Sequence, residues 1–498
     1  MKNKIFFIIT MMVLLMLVAC TSPEEGSEEA TEDMPEISIM MNVHTPEIPN
    51  DRIREMLEER TNVSLDIQWV PDSNYNDRLN AAFATGTLPD VVLMGFQTFI
   101  QYKDAIRDGQ FWEIGPYIED YDNLKKLNQE ILDLTLVEDK LYTLYQGRPL
   151  SRQGIIYRKD WAERLGLSAP TTTDEFFEMA RAFTEDDPDG NGKDDTIGLT
   201  DRSDLVYGAF KTVASWFGTP NEWGFKDETL LPEFMFNEYK DTLDFFKALN
   251  EKGYMNKDFP VTSKTDQQTM FKNGTAGMYV GSMEDVEGLY IEAKEINPNV
   301  EYDVHHYVEG PNGKYQVWGI PGFSTVVLFP KTAIKTEEEL KQILHFYDQL
   351  MKPENMNLLI WGIEGEHYSV KDGKAVIAED RKIFDNEVRP YLSLEIGEPK
   401  TNGRYERYHS YEPALKAQQL IDDNEDYIIQ NPTVTLDSNT QLVDGERLQQ
   451  MIYDATYKYI LGQIDQDGFN DAIKEWESEG GSKMIEEFNN SYQEKNNK

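Results

Sequence analysis

The residues Asp187-Pro188-Asp189-Gly190-Asn191-Gly192-Lys193-Asp194-Asp195 place an oxygen-bearing side chain at alternate positions: Asp187, Asp189, Asn191 and Asp195. The backbone carbonyl of Lys193 falls at the remaining odd position, and Gly192 stands sixth, where an EF-hand-type loop turns sharply. Hard cations take oxygen cages of this kind, so the stretch is a candidate structural Ca2+ site. The twelfth position, which usually holds a bidentate Glu, is Gly198. A plain solvated Asp/Asn/Gly turn would use the same residues, and that alternative stays open. The flanks are not those of a helix–loop–helix sensor. A helical stretch, Thr173–Phe183, leads in, and Thr196-Ile197-Gly198-Leu199 leads out as a strand.

A second set is aromatic. Trp216, Trp223, Trp318 and Trp361 all lie next to or close to a glycine, outside clear amphipathic helices. Flat rings at turns suit stacking on the apolar faces of sugars. Taken one at a time, each is as readily core or interface filler. As a set, with Phe96 just after a strand and Tyr279 on another, they are the candidate ligand-binding residues.

Catalytic signatures are thin. The six histidines form no HExxH pattern, and the single cysteine, Cys20, rules out a cysteine nucleophile or thiolate zinc site elsewhere. There is no P-loop, GxGxxG or GxSxG. Paired carboxylates for glycoside hydrolysis would be hidden among 90 acidic residues. The formal charge of −42 opposes nucleic acid and anionic membrane surfaces as partners.

The N-terminus reads as an address. Lys2 and Lys4 precede an apolar run, Ile5–Ala19, short for a spanning helix. It ends Leu17-Val18-Ala19-Cys20, similar to the bacterial lipobox, in which the cysteine is lipidated. Residues 1–19 are thus expected to be a signal peptide. Residues 20–35, rich in Ser, Glu, Thr and Gly, are expected to be a lipidated flexible tether.

Positioning these groups requires a large body, and 498 residues suffice for two or three domains. Strands are expected at Ile37–Val43, Val63–Val70 and Pro89–Met94, alternating with helices at 50–60, 75–84 and 97–107. That alternation implies βαβ units and a mainly parallel sheet, with Phe96 at a binding mouth beyond a strand end. Another helix is expected at 123–133. Strands at Leu141–Leu144 and Gly154–Arg158 mark a first crossing to a second lobe, and Tyr315–Phe329 a return. A hairpin at Tyr368–Ile377 turns at Asp372-Gly373. Helices follow at about 444–461, 468–477 and 481–494.

Several stretches, in this order and spacing, resemble one family. They are Leu17–Cys20, Gly86-Thr87-Leu88-Pro89-Asp90-Val91, Tyr157-Arg158-Lys159-Asp160-Trp161 and the acidic loop running into Thr196–Leu199. Phe271–Tyr279 and Gly362–Tyr368 complete the set. The chain is similar to family-one extracellular solute-binding proteins of bacterial ABC importers, above all the large Gram-positive lipoproteins related to alginate-oligosaccharide-binding proteins. The resemblance implies an α/β, two-lobed periplasmic-binding-protein-like fold (type II-like) with hinge-crossing strands and a helical C-terminal region. Lobe 1 would comprise 36–148 and 325–378, and lobe 2 would comprise 149–324 and 379–498. It further implies no catalysis, a monomer lipid-anchored on the outer face of the cell membrane, and delivery of an oligosaccharide to permease subunits. Calcium would sit in the second lobe, on Asp187, Asp189, Asn191, Lys193 and Asp195. The sixth ligand would be Thr196, where relatives carry an acid, or water. The competing readings are a surface polysaccharide-degrading enzyme and a peptide or sensing receptor without a transport role.

Overall fold

The computed structural model describes residues 34–43, 48–378 and 381–496. Cys20, the signal peptide and the tether up to residue 33 lie outside the described residues. Among the described residues no helix is long and apolar enough to cross a membrane.

The first five elements fall close to where hydrophobic periodicity puts them. They are β1 (Glu36–Val43), α1 (Arg52–Thr61), β2 (Ser64–Pro71), α2 (Tyr75–Thr85) and β3 (Val91–Gly95). β1 pairs in parallel with β2 and β3, and its Ile37, Ile39 and Met41 are buried. Helix α3 (Phe96–Arg107) starts where β3 ends. The chain later adds β4 (Leu144–Gly147) and β12 (Phe323–Leu328), giving the order β2-β1-β3-β12-β4 with β12 antiparallel to both neighbours. A second sheet has the order β10-β5-β9-β6, from β5 (Gln153–Arg158), β6 (Ile197–Thr200), β9 (Ala276–Ser282) and β10 (Tyr302–His305). Here only β6 and β9 run parallel. The parallel arrangement expected of the first three strands holds for β2-β1-β3, while β12 joins that sheet antiparallel. β5 and β9 run antiparallel within this sheet, so Gln153 at the start of β5 faces Ser282 at the end of β9.

Each sheet carries its own apolar core. The first runs from Ile37 to Tyr145 and resumes from Phe323 to Trp361. It also takes Phe384, Val388, Tyr391, Leu394 and Ile396, beyond residue 379, where the sequence reading put the last crossing. The second spans Ile155 to Val317 and the C-terminal helices α9 (Asn439–Ile460), α10 (Gln466–Trp476) and α11 (Ser482–Asn496). A smaller cluster on the far side of the second sheet joins Phe271, Tyr279 and Tyr302 to Ala414, Ala417 and Ile421.

Two local expectations fail for identifiable reasons. The helix expected at 123–133 is two short pieces, Leu124–Lys126 and Gln129–Asp133. Asn128 interrupts it by acting as an N-cap, its side chain accepting from the Glu130 N–H at 2.9 Å. The loop expected around Trp361 is a helix end: α8 (Pro353–Trp361) stops there because Gly362 takes φ 80°. The hairpin at β13 (Tyr368–Lys371) and β14 (Lys374–Ile377) forms as expected, with both Asp372 and Gly373 at positive φ.

Candidate functional site

The chain passes from one core to the other at Gly147–Gln153, again at Trp318–Phe323, and a third time after Ile396. The first two passages are tied together: the Arg148 N–H donates to the Gly322 carbonyl at 2.8 Å, and Phe323 pairs with Gly147. A side chain at 147 would collide with the backbone of Gly397, so glycine lets the third passage lie against the first. Three arginines gather here. Arg404 donates through Nε to Glu395 Oε1 at 2.7 Å, Arg148 Nη1 lies 3.9 Å from Glu395 Oε2, and Arg152 Nη1 lies 2.9 Å from Glu284 Oε2. Burial, then the charges of Arg152 and Arg404, hold the Arg148 guanidinium below its ordinary pKa, against the opposing pull of Glu395.

The sequence-predicted aromatics divide. Phe96 and Trp223 come together on one groove of about 220 Å3 between α3 and the segment 431–442. Phe96 meets Phe323 edge-on at 5.6 Å, and Trp223, on β7 (Trp223–Lys226), meets Phe488 at 4.8 Å. Trp318, on β11 (Val317–Trp318), lies at the second passage, its Nε1 donating to Thr212 Oγ1 at 3.1 Å. Tyr207 stands edge-on to it at 5.5 Å and is 46% exposed. Trp223 and Trp318 are themselves buried, 7% and 4% exposed, while Phe96 is part-exposed; the other three rings are enclosed as well. Trp216 ends α5 (Ala209–Phe217) inside the second core and is 1% exposed. Tyr279 is buried on β9 with its hydroxyl on Asp285, and Trp361 is buried in the first core with Nε1 donating to the Tyr405 carbonyl. Tyr207 and the arginines were not singled out from the sequence. Tyr207 does carry the aromatic-next-to-glycine signal, in Tyr207-Gly208. A larger depression of about 650 Å3 between α6 (Asn237–Lys252) and α10 is lined by residues such as Lys240, Asp467 and Lys474.

An ion pair between the cores is part of the groove's lining. Asp437 binds Lys103 Nζ at 3.4 Å through one oxygen and Arg107 through the other. Lys103 is buried, and its pKa is lowered by that burial while Asp437 pulls it back up.

In the acidic loop the side chains turn inward. The Asn191 amide donates to Asp189 Oδ2 at 2.7 Å and to Asp195 Oδ1 at 3.0 Å. Asp187 accepts from the backbone N–H groups of Asn191 and Gly192. Among the described residues no group of three or more His, Cys, Asp or Glu is placed to hold a metal ion. The missing twelfth ligand has a steric cause: any Cβ at Gly198 would run into the backbone of Ala180, on α4 (Thr173–Glu185). Thr196 is buried and donates to the Phe183 carbonyl at 2.9 Å, which ties the position after the last Asp to the helix.

At the end of β6 lies a buried carboxyl, Asp201. It accepts from the backbone N–H groups of Arg202 and Ala209, at 2.8 and 2.9 Å. Burial pushes it up to about 7, against those two donors and the Arg202 charge. A carboxyl with its folded pKa above its unfolded one stabilises fully below pH ~4 and loses that contribution as pH rises through about 7. Asp201→Asn keeps the accepting oxygen and removes the ionisation. Urea unfolding should then show the variant gaining on the wild type between pH 5 and pH 8, by ~2.5 kcal/mol. A constant difference across that range would contradict the assignment.

Residues 49–337 match the family described as bacterial extracellular solute-binding protein. The polygalacturonan/rhamnogalacturonan-binding protein YtcQ of Bacillus subtilis is 41% identical over 99% of this chain and 100% of its own. Lipoprotein LipO of the same organism is 34% identical over 96% of both chains. Among solved structures, an HMO-binding, ABC-transporter-associated solute-binding protein from Bifidobacterium longum infantis superposes with a TM-score of 0.72 at 18% identity, covering 93% of this chain and 99% of its own. Alginate-binding protein AlgQ2, in a structure without calcium ion, gives 0.66 at 15% identity, covering 93% and 99%.

Proposed function

The chain belongs to the bacterial extracellular solute-binding protein family, and from that premise we propose that it captures an oligosaccharide between its two lobes and delivers it to the permease of an ABC importer. The observation that carries the place of capture is the set of groups at the passages between the cores. Tyr207 offers a half-exposed ring beside Trp318, Phe96 and Trp223 line the adjoining groove, and guanidiniums flank the first passage. Aromatic faces with a few polar groups suit a sugar ring. Binding across two lobes favours the closed form, because only that form offers both sets of contacts. The relative YtcQ makes galacturonate-containing oligosaccharides the first ligands to try. The lobes on this reading are 36–147 with 322–396, and 153–317 with 414–496, which moves the third passage beyond Ile396. The protein is read as a receptor and not an enzyme. It is read as anchored through lipid on Cys20 to the outer face of a Gram-positive membrane.

The acidic loop is read as a calcium staple within the second lobe. Asp187, Asp189, Asn191, the Lys193 carbonyl and Asp195 would hold the ion, and water would complete the shell, since Thr196 is engaged elsewhere. The convergence of Asp189 and Asp195 on the Asn191 amide supports the fit: a flipped amide presents its oxygen to the same point. The ion's contribution there is structural, holding α4 to β6.

Thermal melting with short galacturonan oligomers, neutral oligosaccharides and peptides tests the reading. A ligand at a hundredfold excess over its Kd adds ~2.7 kcal/mol of stability. Sugars should raise the melting temperature and peptides should not, and reducing ends should not accumulate. Chelation should lower the melting temperature while sugar affinity, measured below melting, stays constant. A response to peptides alone, or steady release of sugar ends, would reject the receptor reading.

A further inference from the structure

We propose that Arg148, supported by Arg152, binds a carboxylate of the captured sugar, so that the protein selects acidic over neutral oligosaccharides; this rests on the oligosaccharide-receptor reading above. The argument starts from pairing. In a chain with 90 acidic and 48 basic residues, arginines that pair with no carboxylate among the described residues, such as Arg78 and Arg164, are exposed, whereas Arg148 is part-buried at a passage between the cores. Arg181 faces Glu178, Glu185 and Asp186, and Arg158 forks onto Asp160 with bonds of 2.8 and 2.5 Å. Arg148 is different. The carboxylate nearest to it is 3.9 Å away and already engaged by Arg404 at 2.7 Å. Its Nη1 donates to the Gly147 carbonyl at 2.9 Å, and Nε and Nη2 donate to no protein group among the described residues. The charges acting most on Arg148 are two further guanidiniums, Arg152 and Arg404, and two carboxylates, Glu395 and Glu284, each of which already has an arginine partner.

The group is also held in place. The Arg148 N–H is bonded to Gly322 on the second passage, and the residue before it is pressed against Gly397 on the third. Its side chain is 37% exposed, as is that of Arg152. A planar fork with free donors, fixed in position and short of negative charge, is complementary to a carboxylate, which accepts two parallel N–H bonds from it. A neutral sugar hydroxyl would satisfy the donors and leave the charge uncompensated. An incoming carboxylate would raise the Arg148 pKa, offsetting the depression that burial causes.

The test is calorimetric titration with a short galacturonan oligomer and with its fully methyl-esterified form, which keeps the sugar and removes the charge. The wild type should prefer the acid by at least about tenfold, as a charge-assisted bidentate contact implies. Arg148→Gln should lose most of that preference, weakening the acid far more than the ester. Arg148→Lys, which keeps charge but not the fork, should fall between. Far-ultraviolet circular dichroism at the titration temperature checks that each variant is folded. Equal wild-type affinity for acid and ester would overturn the inference while leaving the receptor reading intact. So would a folded Arg148→Gln that weakens both ligands alike. Failure of the wild type to bind any oligosaccharide would overturn both.

Discussion

Trp216→Ala is expected to unfold the second core more easily, by about 3–5 kcal/mol, instead of selectively weakening sugar binding. The ring is 1% exposed, meets Phe176 edge-on at 5.5 Å, and belongs to the core that also holds Val213, Leu243 and Phe246. Removing it deletes a large apolar surface and leaves a cavity that a close-packed interior fills only in part. One compensation is available: its Nε1 has no hydrogen-bond partner among the described residues, so the truncation also removes a buried donor left unsatisfied by them. That gain is smaller than the packing loss. The backbone cannot easily shift to fill the space, because Gly310 sits directly on the Trp216 carbonyl and a Cβ there would collide with it. Urea unfolding followed by the fluorescence of the remaining tryptophans checks the magnitude. Preserved stability with lost sugar affinity would return Trp216 to the ligand.

The sequence signal that pointed to Trp216 was its closeness to a glycine, and the structure explains why the signal misleads there. Gly218 and Gly362 are helix terminators at φ 95° and 80°. Their neighbours Trp216 and Trp361 are therefore the last turns of buried helices and not residues of ligand loops. A large ring at the end of an apolar helix is usually drawn into the core. At Tyr207 the glycine precedes a helix instead: Gly208 is the N-cap of α5, and the tyrosine stays in the loop before it. The fold itself was legible, because β1 and β3 are short apolar runs, the β2 stretch alternates Val63, Leu65, Ile67 and Trp69 on one face, and helical stretches separate them. What the sequence hid depends on distant pairing. The antiparallel run of the second sheet follows from the return of β9 beside β5, more than a hundred residues later. The arginines of the passages were invisible for the same reason: Arg148 and Arg404 become neighbours only when Glu395 lies between them. Gly198 was read correctly as a departure from the calcium-loop pattern, but its cause, the backbone of Ala180, lies in three dimensions.

Asp437→Ala should destabilise the contact between the two cores by about 2 kcal/mol, whereas Lys103→Ala should cost less than about 1 kcal/mol. The asymmetry follows from what each truncation leaves behind. Lys103, on α3 of the first core, has a side chain 7% exposed, and Asp437, leading into α9 of the second, is 49% exposed. Without Asp437 the ammonium is buried with no opposing charge, the costly half of a broken pair. Its pKa, already lowered by burial, then loses the partner that raises it. Without Lys103, Asp437 keeps Arg107 and remains hydrated, so little is lost. The exposure of Asp437 brings the first figure below the ~3–5 kcal/mol of a fully enclosed pair. The double variant should therefore be more stable than Asp437→Ala alone, since deleting the stranded ammonium removes the penalty. Because the two ends belong to different cores, the loss should also appear as opening. Small-angle scattering should give Asp437→Ala a larger radius of gyration than the wild type, and the double variant a value closer to it. Additive single-variant costs, or an unchanged radius in Asp437→Ala, would mean that the ion pair rides on the lobe contact without holding it.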